Sequence, residues 1–413
     1  MKRIATPIAT IIVFTTAMAA VGADWIQFRG PNRDGKSSET GLLKSWPEGG
    51  PKKLWTSDVN LGSGFASVSV TKDAIYTAGL FDGQEIVFAL GLDGKLKWKS
   101  APRGPAFDGY MPGTRTTPTV DGDYVYAMTS TGKVLCLQAS DGKEKWSVDT
   151  RKKFGAKIIR WGIAESILIV DDMAICTPGG PDATMVALNK LTGKTIWRTK
   201  GLSDISAYCS PILIKDDKKN LIVTMTGDNV IGVSPAGGKV LWKYPYRGRC
   251  QAHAVSPTYH DGQIFVTSGY NDGAVMLKLS DDGKSVKVAW KDKGFDTHHG
   301  GVILVDGNVY GTTWNGNGDG NWICADWKSG KTKFEASWKC KGSMVFADGM
   351  LYCYEEKGGT VGLAKASPSG FEVISSFKMT DGEGKHWAHP VVAGGVLYVR
   401  HGSALNAYDV KGK

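Results

Sequence analysis

The sequence holds no adjacent cysteine pair and no Cys-x-x-Cys, which removes the common redox and zinc-ribbon spacings. It has no Gly-x-Ser-x-Gly, no phosphate loop and no Gly-x-Gly-x-x-Gly ahead of a helix. Nucleophile-elbow hydrolases, P-loop enzymes and doubly wound nicotinamide enzymes are thereby excluded. The formal charge is +10, yet no run of five or more basic residues occurs. Scattered Lys and Arg are not a nucleic-acid footprint; they read as surface charge that blunts exposed strand edges. No segment after residue 20 reaches 18 apolar residues, so no transmembrane helix is expected in the mature chain.

What is present begins with an export signal at residues 1–23. Lys2 and Arg3 precede an apolar stretch from Ile8 to Ala20 that is too short to span a bilayer, and Val21-Gly22-Ala23 supplies the small residues a signal peptidase accepts. The expected mature chain starts at Asp24 and resides in the periplasm or outside the cell. No Cys follows the apolar stretch, so no lipid is expected on a mature N-terminal Cys. Of the seven Cys, Cys136, Cys176, Cys324 and Cys353 lie in apolar alternating runs and read as small core residues. An oxidising compartment would allow one disulfide among Cys209, Cys250 and Cys340, with the pairing open.

The dominant signal is an internal repeat. One unit reads Thr117-Pro-Thr-Val-Asp-Gly-Asp-Tyr-Val-Tyr126, then a run at 132–137, then Asp141-Gly-Lys-Glu-Lys-Trp146. Others start at Ser256 and close at Trp290, or run from Met185 to Trp197. Period-2 alternation gives strands, and the Asp-Gly and Thr-Gly turns supply the positive φ that tight hairpins need. Four antiparallel strands per unit make a propeller blade. The closing aromatics Trp55, Trp98, Trp146, Trp197, Trp242, Trp290 and Phe334 recur every 43 to 51 residues. First strands begin near Ala66, Thr117, Ser166, Ser210, Ser256, Gly301, Ser343 and Pro390. The expectation is an all-β, eight-bladed propeller. Its last unit stops before a fourth strand, so the orphan run Lys53-Leu-Trp-Thr56 is expected to complete that blade and close the ring. The recurring Trp are read as packing between blades where turn glycines leave room.

At these residues the chain resembles the pyrroloquinoline-quinone-like propeller repeat family, whose blade ends in Ala-x-Asp-x-x-Thr-Gly-Lys-x-x-Trp. Ala187 to Trp197 and Ala325 to Phe334 carry the pattern. The resemblance covers residues 53–413, leaving 24–52 as an N-terminal extension whose opening, Asp24 to Gly35, is similar to that of a large group of exported members. It implies the fold and leaves the function open. The family includes quinone-dependent alcohol dehydrogenases and a non-catalytic lipoprotein of the outer-membrane barrel assembly machinery. Those dehydrogenases carry a Cys-Cys disulfide over the cofactor and hold calcium or a lanthanide with Glu, Asn and Asp. This sequence has no Cys-Cys, no residue-by-residue match to the metal set, and no lipid-bearing Cys.

In a propeller, the junctions from each outer strand to the next inner strand converge on one mouth of the channel. Those junctions hold Arg115; Arg160, Trp161 and Glu165; Tyr208 and Cys209; Arg249 and His253; His298 and His299; Lys339 and Cys340; and His386, Trp387 and His389. Five of the seven His fall there. The arginines suit an anion, the Trp suit a flat ring or sugar, and neutral imidazoles suit a transition metal; no metal set is assigned. The loop Asn315-Gly-Asn-Gly-Asp-Gly320 resembles a calcium loop, but position one is Asn and its charge is low, so a hairpin loop is expected.

The expected function is an exported binding or scaffold propeller of the cell envelope. A protein or polymer partner, or a ligand, would be held at the His/Trp/Arg-rich mouth through Arg115, Arg160, Trp161, Glu165, Tyr208, His253, His298, His299, His386, Trp387 and His389. The alternative is a quinone-dependent oxidoreductase, with pyrroloquinoline quinone and calcium against Trp387 or Trp161 and Glu165 as base. A polysaccharide-binding module ranks third, because the mouth offers no facing carboxylate pair. Catalytic residues are not assigned.

Overall fold

The computed structural model describes residues 24–107 and 109–412; the export signal read at 1–23 lies outside the described residues. Eight four-stranded antiparallel blades form the ring, and one of them gains a fifth, N-terminal strand. Blade 2 is representative: Thr119–Asp121, Tyr124–Met128, Lys133–Gln138 and Glu144–Asp149 follow one another from the axis outward. Its hairpin turns place Gly122 at φ 54° and Gly142 at φ 71°, a region that costs an L side chain energy and glycine none. The orphan strand closes the ring as expected. Lys53–Thr56 pairs antiparallel with Ala404–Asp409, with Trp55 opposite Ala407. At that seam the buried Arg400 of blade 8 donates to Thr77 Oγ1 of blade 1 at 2.6 Å.

The recurring Trp lock neighbouring blades. Trp98 donates its indole N–H to Ala139 O at 2.8 Å, Trp146 to Lys190 O at 2.9 Å, and Trp197 to Pro235 O at 2.8 Å. Each acceptor lies in the last turn of the next blade. The ring faces rest on Gly142, Gly193 and Gly238, where a Cβ would come within 2.4 to 2.8 Å of the indole. A one-residue bulge beside each Trp sets the indole across the seam. Trp146→Ala is expected to cost about 3 kcal/mol through the cavity it leaves, whereas Trp146→Phe costs about 1 kcal/mol for the lost hydrogen bond. Urea denaturation of the two variants would separate these costs.

Residues 25–37 cross the central channel. Trp25 pairs with Val70 through both backbone groups (2.8 and 2.9 Å), and Ile26 O accepts from Val120 N at 2.8 Å. Lys36–Ser37 then runs parallel to Gly342–Ala347 of blade 7. Between these anchors two buried guanidiniums turn into the channel. Arg33 donates to Ser166 O and Pro211 O at 3.1 Å each, and to Ile167 O. Arg29 donates to Asp34 O at 3.0 Å and to Val302 O. Apart from the local Asp34 O, these carbonyls lead into the inner strands of blades 3, 4 and 6. Burying a cation there requires such acceptors, and the carbonyls require such donors.

All seven cysteines are unpaired, so the disulfide that the compartment would allow among Cys209, Cys250 and Cys340 is not formed. The three occupy different blade junctions. Cys209 Sγ lies 3.5 Å from Thr224 Oγ1, and Cys340 Sγ lies 3.1 Å from Lys341 O.

Candidate functional site

The junctions enclose a cavity of about 530 Å³ on one face. Arg115, Arg160, Trp161, Tyr208, His298, His299, Trp387 and His389 line it. The structure does not bring Glu165, His253 and His386 to it. The physical reason is alternation: along an extended segment successive side chains point opposite ways. Ala164, Ala252, Ala254, Trp387 and His389 face the cavity, so Glu165, His253 and His386 face away. Glu165 is fully buried and accepts from Thr177 N at 2.9 and 3.1 Å. His253 Nδ1 lies 3.0 Å from Ser268 Oγ. His386 stacks on His401 at 3.9 Å, with Nδ1 2.6 Å from Tyr354 OH.

Five further residues complete the wall: Phe28, Phe65, Tyr110, Tyr270 and Asn317. Tyr270 and Asn317 come from loops between second and third strands, which open on the same face as the junctions. Their sequence signal was Gly269-Tyr-Asn-Asp-Gly273 and the Gly/Asn-rich run 315–320, each too rich in turn formers to continue a strand. The second of these is a hairpin loop between Asn308–Thr312 and Trp322–Asp326, with Gly318 N donating to Glu356 Oε1 at 2.7 Å. Phe28 comes from the channel-crossing segment and forms the floor, edge-on to His389 at 5.0 Å.

Local chemistry explains how the arginines and Trp161 are presented. Asp149 caps the short helix Thr150–Phe154 and Gly155 ends it at φ 66°, so the chain turns back with Trp161 N donating to Tyr208 OH at 3.1 Å. The Arg160 guanidinium lies 4.9 Å over the Trp161 ring. Arg115 lies 5.3 Å over Phe65 and donates to Gly113 O (3.1 Å) and Met111 O (2.7 Å). The Trp161 and Tyr270 planes are parallel within 4°, centroids 6.2 Å apart. Phe65 meets Trp387 at 4.9 Å.

The imidazoles are neutral where burial governs them. Burial, reinforced by Arg29, pushes His389 down to about 3; its Nε2 lies 2.8 Å from His299 O. His298 is lowered by burial and then by His299 and Lys341. Beneath the cavity, Glu356 is flanked by Lys341 Nζ and by His299 Nε2 at 2.6 Å. The His299 approach is close enough for an ion pair but lacks hydrogen-bond alignment. Burial opposes ionisation of Glu356, yet the two neighbours outweigh it and hold the carboxyl well below the usual range.

Among the described residues no Asp or Glu lines the cavity, while Arg115 and Arg160 do. The field inside therefore favours an anion, and the walls favour a flat apolar body. Calcium takes six to eight oxygens, carboxylates foremost. The lining offers tyrosine hydroxyls and Asn317, so it does not fit the cation of a quinone–calcium pair. Among the described residues no three His, Cys, Asp or Glu converge to hold a metal.

The chain is 25% identical to the outer membrane protein assembly factor BamB of Burkholderia pseudomallei over 361 residues, 75% of this chain and 84% of that protein. It is 24% identical to the quinoprotein ethanol dehydrogenase of Pseudomonas putida over 213 residues, 48% of this chain and 33% of the relative. It thus spans only about a third of that enzyme's length. The structure is similar to BamB from Moraxella catarrhalis (TM-score 0.63, 17% identity, 87% of this chain and 98% of that one). It is also similar to the quinohemoprotein alcohol dehydrogenase from Comamonas testosteroni (TM-score 0.70, 13% identity, 96% and 82%). At such identities the structural likeness speaks for the fold alone. The family model of the outer membrane protein assembly factor BamB matches residues 83–339. With more than half of its length so matched, the chain belongs to the family of the outer membrane protein assembly factor BamB.

Proposed function

We propose that the protein is an exported binding or scaffold propeller of the cell envelope, holding a ligand or an envelope partner in the aromatic–arginine cavity. Its place is the periplasm or outside the cell. The apolar signal at 1–23 and the assembly-factor relatives support this, and no helix among the described residues is long and apolar enough to cross a membrane. One observation carries the reading. The channel is crossed by residues 25–37, so the mouth becomes a blind cavity whose two guanidiniums have no carboxylate beside them in the lining. Such a site stores binding energy for an anion, and no described carboxylate in its lining stands ready as a general base. A quinone-dependent oxidoreductase is the second reading, favoured by the flat walls. Against it, Glu165 is held behind the wall by Thr177 N–H and faces no substrate.

Filling the cavity tests the proposal. Ala254 lines it and is half-buried, so Ala254→Phe should block it without disturbing a blade. In a deletion strain of the host, the wild-type gene is expected to restore envelope integrity, measured as detergent resistance. Ala254→Phe is expected to behave like the deletion. Full rescue by Ala254→Phe would remove the cavity from the function.

A further inference from the structure

Resting on that reading of the cavity, we infer that its ligand is a planar aromatic carboxylate, bound directly by the two arginines with no divalent cation. The donor set carries the argument. Arg160 is exposed and stacked by its face on Trp161, which leaves its N–H edge free for the two oxygens of a carboxylate. The arginine ion pairs among the described residues are those of Arg103 and Arg247, so no described carboxylate is paired with Arg160. Arg115 spends donors on Gly113 O and Met111 O and stays fixed over Phe65. Together they set two guanidiniums in one lining, with Glu85 acting on Arg115 from outside it. A cation would find no carboxylate in the lining to hold it.

The body of the ligand follows from the walls. Trp161 and Tyr270 present parallel planes, Phe65 and Trp387 stand at 4.9 Å, and Phe28 closes the floor. His298 Nδ1 is buried beside Tyr270 without a hydrogen-bond partner. A polar ring substituent there would satisfy it. About 530 Å³ suits two or three fused rings.

The carboxylate could arrive as a free small molecule or on a polymer, and the test separates the two. The probes are 2-naphthoate and dextran bearing tethered 6-carboxynaphthoyl groups, titrated calorimetrically into the purified protein with EDTA present. Saturable binding of 2-naphthoate is expected, unchanged when calcium replaces EDTA. The neutral 2-naphthylmethanol should bind about tenfold more weakly or worse, and Arg160→Gln should weaken 2-naphthoate by a similar factor. Arg160 is exposed, so folding is not at stake, and Lys157→Gln, exposed and outside the lining, serves as the unaffected control. Binding of both probes admits a polymer-borne ligand; binding of the free acid alone assigns a small molecule. The inference is overturned if 2-naphthoate fails to saturate at millimolar concentration, needs calcium, binds no better than the alcohol, or ignores Arg160→Gln. If it fails while Ala254→Phe is still inactive in cells, the ligand class alone is wrong; full rescue by Ala254→Phe rejects the site as well.

Discussion

Replacing Arg33 with leucine is expected to destabilise the protein by about 4 kcal/mol and to lower its melting temperature by about 5 °C, given the unfolding entropy of a chain this long. The guanidinium is 4% exposed and serves three carbonyls, Ser166 O, Ile167 O and Pro211 O, at the start of two inner strands. Leucine fills most of the volume but donates nothing, so each carbonyl keeps its desolvation cost without a partner. Burial lowers the Arg33 pKa to about 9 against the pull of Glu165, which leaves it the cation that makes these bonds strong near neutral pH. Amide hydrogen exchange adds a local readout. Leu168–Val170 and Ile212–Lys215 should lose protection before distant blades do. A melting temperature equal to wild type would mean that the crossing segment contributes no stability to the ring.

Glu165→Gln is expected to flatten the pH dependence of stability and to stabilise the protein by several kcal/mol at pH 9, while leaving it almost unchanged at pH 4. Burial pushes the Glu165 carboxyl up to about 8, opposed by Thr177 and by Arg33. In the unfolded chain the same group titrates near 4.5. Below that pH both states hold the proton, and stability is at its fullest. Above it the unfolded state releases the proton and the folded state does not, so stability falls by about 1.4 kcal/mol per pH unit. The loss continues until the pH passes about 8, where the folded state releases its proton too. Glu85, raised by burial to about 7 and bonded to Ser130, adds a slope of the same sign. Glutamine keeps an acceptor for Thr177 N–H and has no proton to lose. Urea unfolding of both proteins at pH 4, 6.5 and 9 checks the claim; parallel stability curves would refute a buried neutral Glu165.

The propeller was legible because its signals are local. A turn glycine, a period-2 run and a closing aromatic lie within one blade; the alternation recurs in all eight blades and the closing aromatic, six times a Trp and once Phe334, in seven. Ring closure by Lys53–Thr56 followed from counting strands in the last unit. The site was legible in part, because the repeat register told which segments reach the mouth. It did not tell which way each side chain turns. Ala252, His253 and Ala254 show the difficulty: the conspicuous His points into the protein, and the two alanines make the wall. Tyr270 and Asn317 were not assigned to the mouth, because loops between second and third strands vary from blade to blade and carry no repeat signature.

The channel-crossing segment marks the division most clearly. That Trp25, Arg29 and Arg33 belong to an extension ahead of the first blade is written in the chain order. That Arg33 ends against carbonyls 133 to 178 residues away, and that Phe28 floors the cavity, arises only once eight inner strands surround one axis. The sequence by itself determined the blades, because hairpin turns and alternation act over a few residues. Only the tertiary structure decided that the mouth is a blind, cationic, aromatic cavity. Burial, the pairing of distant charges and the direction of a single side chain depend on atoms the chain brings together last.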